Sequence, residues 1–154
     1  MHHEDVRAAT FARNHGIRHF GREVHYRMVE GGHERRLGVD TARRVKLSDM
    51  GVNNPDSRDS MPIGYVAFYS TLNRVPLPTS RIVFLDYGVG TGRALCAAAT
   101  FPMCRIIGID ISETLVKSAR ENLKRMRHRK ATRVELRTID AADYELPGDV
   151  NLIY

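Results

Sequence analysis

Three aspartates that follow predicted β-strands are the residues of this sequence whose types and spacing point to chemistry. Asp86 opens the glycine-rich stretch Asp86-Tyr87-Gly88-Val89-Gly90-Thr91-Gly92, and Asp110 and Asp140 follow later strands. Glycines let a ligand approach the backbone, and N–H groups exposed at a strand-to-helix turn bind a polar ligand edge. Dinucleotide sites use the longer spacing Gly-x-Gly-x-x-Gly, and Asp86 would repel a pyrophosphate. The stretch therefore predicts a cofactor that carries an ammonium group.

The elements around these aspartates predict a parallel α/β sheet. Continuous apolar runs at 82–85 and 105–109 are typical of strands buried on both faces. The segment 133–139 alternates polar and apolar residues, as an edge strand does, and another strand begins at Val150. A short helix of small residues follows the glycines. A longer helix with one apolar stripe follows Asp110, with Ser112 as its N-cap.

The part of the chain before this sheet is different in character. Residues 1–60 are polar, rich in Arg and His and interrupted by glycines, which predicts an N-terminal arm with one or two short helices. Turn-forming residues at 53–57 place a boundary near residue 60. Apolar and aromatic residues recur at helical intervals over 63–75, which predicts a helix. The predicted division is an arm, 1–60, and a compact unit, 61–154.

Composition and missing motifs exclude several classes of protein. No apolar run approaches the roughly 20 residues that a membrane helix needs, and the first residues lack a secretory signal, so we expect a cytoplasmic protein. Cys96 and Cys104 form no Cys-x-x-Cys pair and are expected to be reduced. The seven histidines, including His15 and His19, form no set with metal-ligand spacing, so we expect no metal. Nucleophile-elbow and phosphate-loop motifs are also absent.

A basic run at 117–133 allows two interpretations. The run holds Lys117, Arg120, Lys124, Arg125, Arg127, Arg129, Lys130 and Arg133 against the single acid Glu121. It could follow a nucleic-acid phosphate backbone. The simpler interpretation is a solvated helix face whose cations complement the helix dipole, because no aromatic residue for base stacking interrupts it.

With these residues in this order, the sequence resembles the class I S-adenosylmethionine-dependent methyltransferases. The resemblance depends on the stretch 86–92, on Asp110 and on Asp140-Ala141. Two further features, 35–41 and Gly64-Tyr65, look like those of small bacterial methyltransferases of unassigned substrate. The resemblance covers 35–154. It implies a Rossmann-like fold with flanking helices and the strand order 3-2-1-4.

The resemblance also implies roles in binding S-adenosylmethionine. Asp86, Gly88, Gly90, Thr91 and Gly92 would hold the methionine part. Asp110 would accept hydrogen bonds from the ribose hydroxyls, which agrees with the acidic residue expected about 20 residues beyond such a glycine turn.

The remaining roles concern the adenine ring and a cover over the cofactor. Asp140 would bind the adenine amino group, Ile111 and Ala141 would flank the ring, and Tyr65 would cover the cofactor. Simpler roles remain open. Each aspartate could be a turn former or helix cap, and Tyr65 could be a core residue.

The implied function is methyl transfer to an acceptor that is a protein, a small molecule or a nucleic acid. Residues 61–154 would form the cofactor-binding half of the domain, cut at its fourth strand, and no catalytic residue can be assigned. A second copy or a partner chain is expected to cover the edge of that strand. The alternatives are a catalytically silent cofactor-binding or scaffold module and a basic nucleic-acid-binding protein.

Overall fold

The computed structural model describes residues 17–43 and 61–154. The helices and strands, in chain order, are α1 (Ile17–Leu37), α2 (Tyr65–Leu72), β1 (Val83–Tyr87), α3 (Arg93–Ala98), β2 (Arg105–Asp110), α4 (Glu113–Arg125), β3 (Val134–Thr138) and β4 (Leu152–Ile153). Short 3-10 turns lie at Thr79–Arg81 and Ala141–Asp143.

Two compact units make up the chain, Met1–His33 and Glu34–Tyr154. The described part of the first unit is one continuous stretch of α1, where one or two short helices were predicted. The second unit contains the sheet and begins with the last turn of α1. The predicted division into 1–60 and 61–154 stays a prediction. The predicted loop at 53–57 and the boundary near residue 60 lie outside the described residues.

The four strands form one parallel sheet in the order β3-β2-β1-β4, which confirms the predicted fold class and strand order. Phe84 of β1 pairs with Ile106 of β2 on one side and with Leu152 of β4 on the other. The direction of chain progress therefore reverses between β1 and β4. Open α/β sheets bind ligands outside the carboxyl ends of the strands at such a switch point.

Both faces of the two central strands are covered, as their continuous apolar sequences predict. Phe84 and Ile106 belong to the larger core cluster, to which α2, α3 and α4 contribute. Leu85 and Ile107 belong to a second cluster, which Tyr144 completes from the segment after β3. The strands are therefore fixed in the middle of the unit, and their ends are available for a site.

The crossover helices bring the predicted site residues to one edge of the sheet. Because parallel strands need a crossover between them, α3 and α4 run back past the sheet and return the chain to the same starting edge. The carboxyl ends of β1, β2 and β3 then lie side by side, and Asp86, Asp110 and Asp140 are at these ends. Ser112 caps α4 as predicted, because its Oγ accepts a hydrogen bond from Leu115 N.

The two edges of the sheet differ in exposure. β3 is only partly buried, as its alternating sequence predicts. Ile153 of β4 is half-exposed on the opposite edge. The partner expected to cover β4 stays a prediction. In the parts of the chain that the structure describes, no helix has the length and apolar character needed to span a membrane.

The glycine turn is predicted to tolerate a side chain at Gly88 better than at Gly92. Both residues have left-handed φ angles, +80° and +91°, but a Cβ on Gly92 would lie 2.9 Å from the Ala119 Cβ, whereas nothing lies within 4 Å of one on Gly88. Gly88→Ala should lower the free energy of unfolding by roughly 1 kcal/mol. Gly92→Ala should cost roughly 1–3 kcal/mol more through steric overlap. Urea unfolding of both variants measures this difference, and equal losses would contradict the close packing of Gly92 on α4.

Candidate functional site

The turn after β1 is built on glycines with left-handed backbone angles. Gly88, Gly90 and Gly92 have φ angles of +80°, +53° and +91°, which residues with a side chain rarely adopt. The N–H groups of Gly88 and Val89 both donate to Ile109 O, at 2.9 Å. The turn is therefore tied to the end of β2.

Asp110 joins two loops at the carboxyl end of the sheet. Its Oδ2 accepts a hydrogen bond from Gly90 N at 2.9 Å, and its Oδ1 accepts one from Ser112 N at 2.9 Å. The residue is only 7% exposed. Asp110 thus holds the glycine turn against the start of α4. Each carboxylate oxygen can accept further bonds, so the ribose role implied by the resemblance stays a prediction.

Asp86 is the most unusual group of the site. Its side chain is 2% exposed, and within the described residues its Oδ1 has no hydrogen-bond partner. Burial raises the pKa of this carboxyl to about 7, and the negative charge of Asp110 adds to the shift. A buried acceptor without a partner costs free energy. A cationic ligand at Oδ1 would remove this cost.

Three more residues predicted to hold a ligand lie after the ends of β2 and β3, namely Ile111 after β2 and Asp140 and Ala141 after β3. Ile139 N donates to Asp110 O at 2.9 Å, which keeps the end of β3 beside the end of β2. Asp140 caps the following 3-10 turn, since its Oδ1 accepts a bond from Ala142 N at 3.0 Å. Ala141 is exposed and Ile111 is half-buried. The structure therefore places these residues at the same edge as Asp86 and Asp110.

Tyr65, at the start of α2, is buried among polar partners. It is fully buried, and its hydroxyl donates to Glu34 Oε1 at 2.9 Å and lies 3.2 Å from Thr41 Oγ1. Burial raises the pKa of this hydroxyl. The geometry is that of a core residue, the simpler of the two sequence interpretations. A role as cover over a cofactor stays a prediction.

A buried polar network connects Tyr65 to the start of α3. Arg93 lies 3.4 Å from Glu34 Oε1, and its Nε donates to Thr41 Oγ1 at 2.9 Å. The guanidinium carbon also lies 5.0 Å from the centre of the Tyr65 ring, within cation–π range. We call Glu34–Thr41 the anchor segment, because its side chains fix the first residue of the helix that follows the glycines.

Asn122 attaches the anchor segment to α4 and to the glycine turn. Its Oδ1 accepts a bond from Asp40 N at 2.9 Å, and its Nδ2 donates to Asp40 O at 3.0 Å and Thr91 O at 2.9 Å. Thr91 Oγ1 donates to Thr41 O at 3.0 Å. Four bonds therefore join the three elements, and Thr91 has a role in the turn that the resemblance did not imply.

Two residues of this network, Arg93 and Asn122, could have been identified from the sequence alone. Arg93 begins a helix that is otherwise small and apolar, and Asn122 lies beside Leu123 on the buried side of α4. A polar residue at such a position requires a partner, because a buried polar group without one is costly. Glu34 offered no comparable signal, because nothing local sets it apart from the other charges of α1.

Metal and thiol chemistry find little support in this part of the chain. Among the side chains that the structure describes, which do not include that of His19, no group of three or more His, Cys, Asp or Glu could hold a metal ion. His15 lies outside the described residues. Cys96 and Cys104 are both free thiols, and burial raises the pKa of Cys96 to about 12.

Comparisons with known proteins give a match to a protein family and several similar structures. Residues 78–153 match a family described as a methyltransferase domain. A search of curated proteins gives no match.

Several solved structures are similar. One is an RNA methyltransferase from Salinibacter ruber in complex with S-adenosyl-L-homocysteine, with 30% identity over 55% of this chain and 53% of that one and a TM-score of 0.48. A tRNA methyltransferase from Aquifex aeolicus has 20% identity over 59% and 35%, with a TM-score of 0.49. The protein YjhP from E. coli has 28% identity over 63% and 36%, with a TM-score of 0.41. The chain thus spans between a third and about half of the length of these proteins.

The buried Glu34–Arg93 ion pair is predicted to stabilise the second unit. Glu34→Gln removes the charge that compensates Arg93, and both side chains are nearly buried, with 12% and 7% exposed. We expect a loss of roughly 3 kcal/mol in the free energy of unfolding, measured in urea. The matched control is Glu135→Gln, whose carboxylate pairs with Arg105, Arg133 and Arg137 and is 28% exposed. Its loss should stay below about 1 kcal/mol, and equal losses would exclude a special role for the pair.

Asp86 is predicted to destabilise the ligand-free protein at alkaline pH. Its folded-state pKa, about 7, is above the ordinary value of 3.8, so the folded state binds the proton more tightly than the unfolded state. Stability should therefore fall as pH rises from about 4 to 7, and the cost is complete above 7. Asp86→Asn should raise the free energy of unfolding at pH 8 by roughly 2 kcal/mol and by much less at pH 4. An equal effect at both pH values would contradict the raised pKa.

Proposed function

We propose that this chain, whose residues 78–153 match a methyltransferase-domain family, binds S-adenosylmethionine and takes part in transferring its methyl group. The observation that carries the proposal is the buried Asp86 carboxyl, whose Oδ1 has no partner among the described residues and which lies beneath the glycine turn. The methyl acceptor is not identified by the residues at this site.

The residues present fit such a ligand. S-adenosylmethionine carries a sulfonium and an ammonium group, and Asp86 offers an anionic acceptor to a cation. Gly88 is exposed, and a Cβ added to it would meet nothing within 4 Å, so the turn leaves open space beside its backbone. A pyrophosphate would be repelled by Asp86 and Asp110 together. These two acidic side chains therefore favour the cationic cofactor over a dinucleotide.

Each residue of the edge has a proposed role. Asp86 and the turn of Gly88, Gly90, Thr91 and Gly92 hold the methionine part. Asp110 accepts bonds from the ribose hydroxyls with the capacity left by its two backbone bonds. Asp140, Ile111 and Ala141 surround the adenine ring at the end of β3.

The cofactor supplies a methyl group on a positively charged sulfur, which leaves as a neutral thioether. The work of the chain is then to bind and orient, because displacement in line depends on positioning the methyl group. Asp110 keeps the turn fixed against α4, and the anchor segment keeps Thr91 and Arg93 in place. These contacts set the position of the cofactor before an acceptor arrives.

We also propose a cytoplasmic location. Both cysteines are free, which is the usual state in a reducing compartment.

Calorimetric titration with S-adenosylmethionine tests the proposal. Asp86→Asn keeps the size of the side chain but removes its charge, so the affinity should fall about tenfold or more. The matched control is Asp149→Asn, which removes an exposed carboxylate bound to Arg105 before β4. It should leave the affinity unchanged. Absence of binding by the unaltered chain, or equal losses in both variants, would overturn the proposal.

The same titration has an expected pH dependence. Asp86 attracts a cation only when ionised, and its pKa is about 7. Affinity should therefore decrease as pH falls from 7.5 to 5.5, by on the order of tenfold, while Asp86→Asn loses this dependence. Transfer of a radiolabelled methyl group to candidate acceptors then separates an active methyltransferase from a catalytically silent cofactor-binding module. Binding without transfer to any acceptor supports the silent module.

A further inference from the structure

The surface at the C-terminal end of α4 brings together cations from two distant parts of the sequence. Arg127 N donates to Leu37 O at 2.7 Å, and a Cβ on Gly38 would lie 3.2 Å from Arg127 Nε. The last turn of α1, which carries Arg35 and Arg36, therefore lies beside the turn that follows α4. We define the cation surface as the exposed cations of these two turns whose side chains make no hydrogen bond within the described residues, Arg35, Arg36, Lys124, Arg127 and Lys130. Arg125 and Arg129 are also exposed, but they bond to Asn122 and to Ala131 O.

These side chains lack the ion pairs that other cations of the unit make. Arg93 pairs with Glu34, Arg105 with Asp149, and Arg133 with Glu135. Within the described residues, no member of the cation surface has an ion pair. Three exposed acids lie in α4 or just after α1, namely Glu113, Glu121 and Asp40, so an excess of positive charge remains.

Stabilisation of the helices does not account for this excess. A helix C-terminus carries about half a negative charge, which one cation satisfies. Here two helix ends are surrounded by five cations that have no ion pair. Bringing like charges together costs free energy, so an external anion is the simplest compensation.

We propose that the cation surface binds the phosphate backbone of a nucleic acid. Its cations are exposed, spread over two helix ends, and free to contact successive phosphates. The sequence of the two turns, 34–38 and 124–130, holds no Phe, Tyr or Trp for base stacking, which favours backbone contacts over sequence reading. Exposed large hydrophobic residues lie elsewhere in the described chain, so nothing at the surface would anchor it in a lipid layer.

The position of the surface points to a polymer rather than a small acceptor. α4 begins beside Asp110 and continues for 13 residues, or about 20 Å, before Arg127 and Lys130. Measured along α4, the surface therefore lies about 20 Å from Asp110, and a ligand that contacts both would be an extended one. The proposal does not depend on methyl transfer and can be tested without cofactor.

Fluorescence anisotropy with a labelled 20-base-pair RNA duplex, titrated with the full chain at 50–300 mM salt, tests the proposal. Arg127→Gln/Lys130→Gln should weaken binding about tenfold at 100 mM salt and reduce the slope of log K against log salt by about 2. Arg35→Gln/Arg36→Gln should have a similar effect if both turns form one surface. The matched control is Arg74→Gln/Arg81→Gln, which removes two exposed cations from another part of the unit. Thermal melting confirms that each variant is folded.

The outcomes separate the proposal from its rivals. A larger loss in both cation-surface pairs than in the control supports it, and similar affinity for the DNA duplex of the same sequence supports backbone contacts. Equal losses in all three pairs would show a response to net charge alone and would overturn it. Absence of binding to either duplex, or tighter binding to phosphatidylserine vesicles than to RNA, would also overturn it.

Discussion

The two hydrogen bonds of the Asp110 carboxylate are the interaction on which the arrangement of the site depends. They tie Gly90, in the turn after β1, to Ser112, which starts α4. Parallel strands bring their carboxyl ends to one edge, but this alone leaves the loops free to separate. Because Asp110 accepts hydrogen bonds from both loops, it keeps them together at the carboxyl end of the sheet. The same side chain lies at the edge where a ligand is proposed to bind.

This arrangement places a second carboxyl, Asp86, in a position where its charge is unfavourable. Burial and the charge of Asp110 both oppose ionisation of Asp86, and the fold provides no donor for its Oδ1 among the described residues. Binding sites often retain such costs because a ligand can remove them. Hydrogen bonds around the anchor segment stabilise the unit and so offset part of the cost of burying Asp86. Glu34 accepts a hydrogen bond from Thr41 N, and Thr41 Oγ1 accepts one from Arg93. Asn122 accepts one from Asp40 N.

The sequence was sufficient to predict the sheet, because buried parallel strands are continuous apolar runs and glycine turns have a recognisable spacing. The places of Asp86, Asp110 and Asp140 at one edge followed from that. What local patterns could not predict was the anchor segment, because Glu34 lies far in sequence from Arg93 and polar residues that satisfy each other leave no periodic signal. For the same reason, the contact between the Tyr65 hydroxyl and Glu34 could not be predicted. The length of α1 was not predicted either, because its sequence is polar and interrupted by glycines.

The bonds around the glycine turn have a consequence for the rate at which a ligand could bind. The turn with left-handed backbone angles at Gly88, Gly90 and Gly92 already donates hydrogen bonds to Ile109 O and Asp110 Oδ2 and accepts one from Asn122. A flexible loop would lose conformational entropy on binding, and its association would wait for the correct arrangement. A turn whose conformation is already fixed loses little conformational entropy on binding. Encounter with the ligand, rather than rearrangement of the turn, would then limit association.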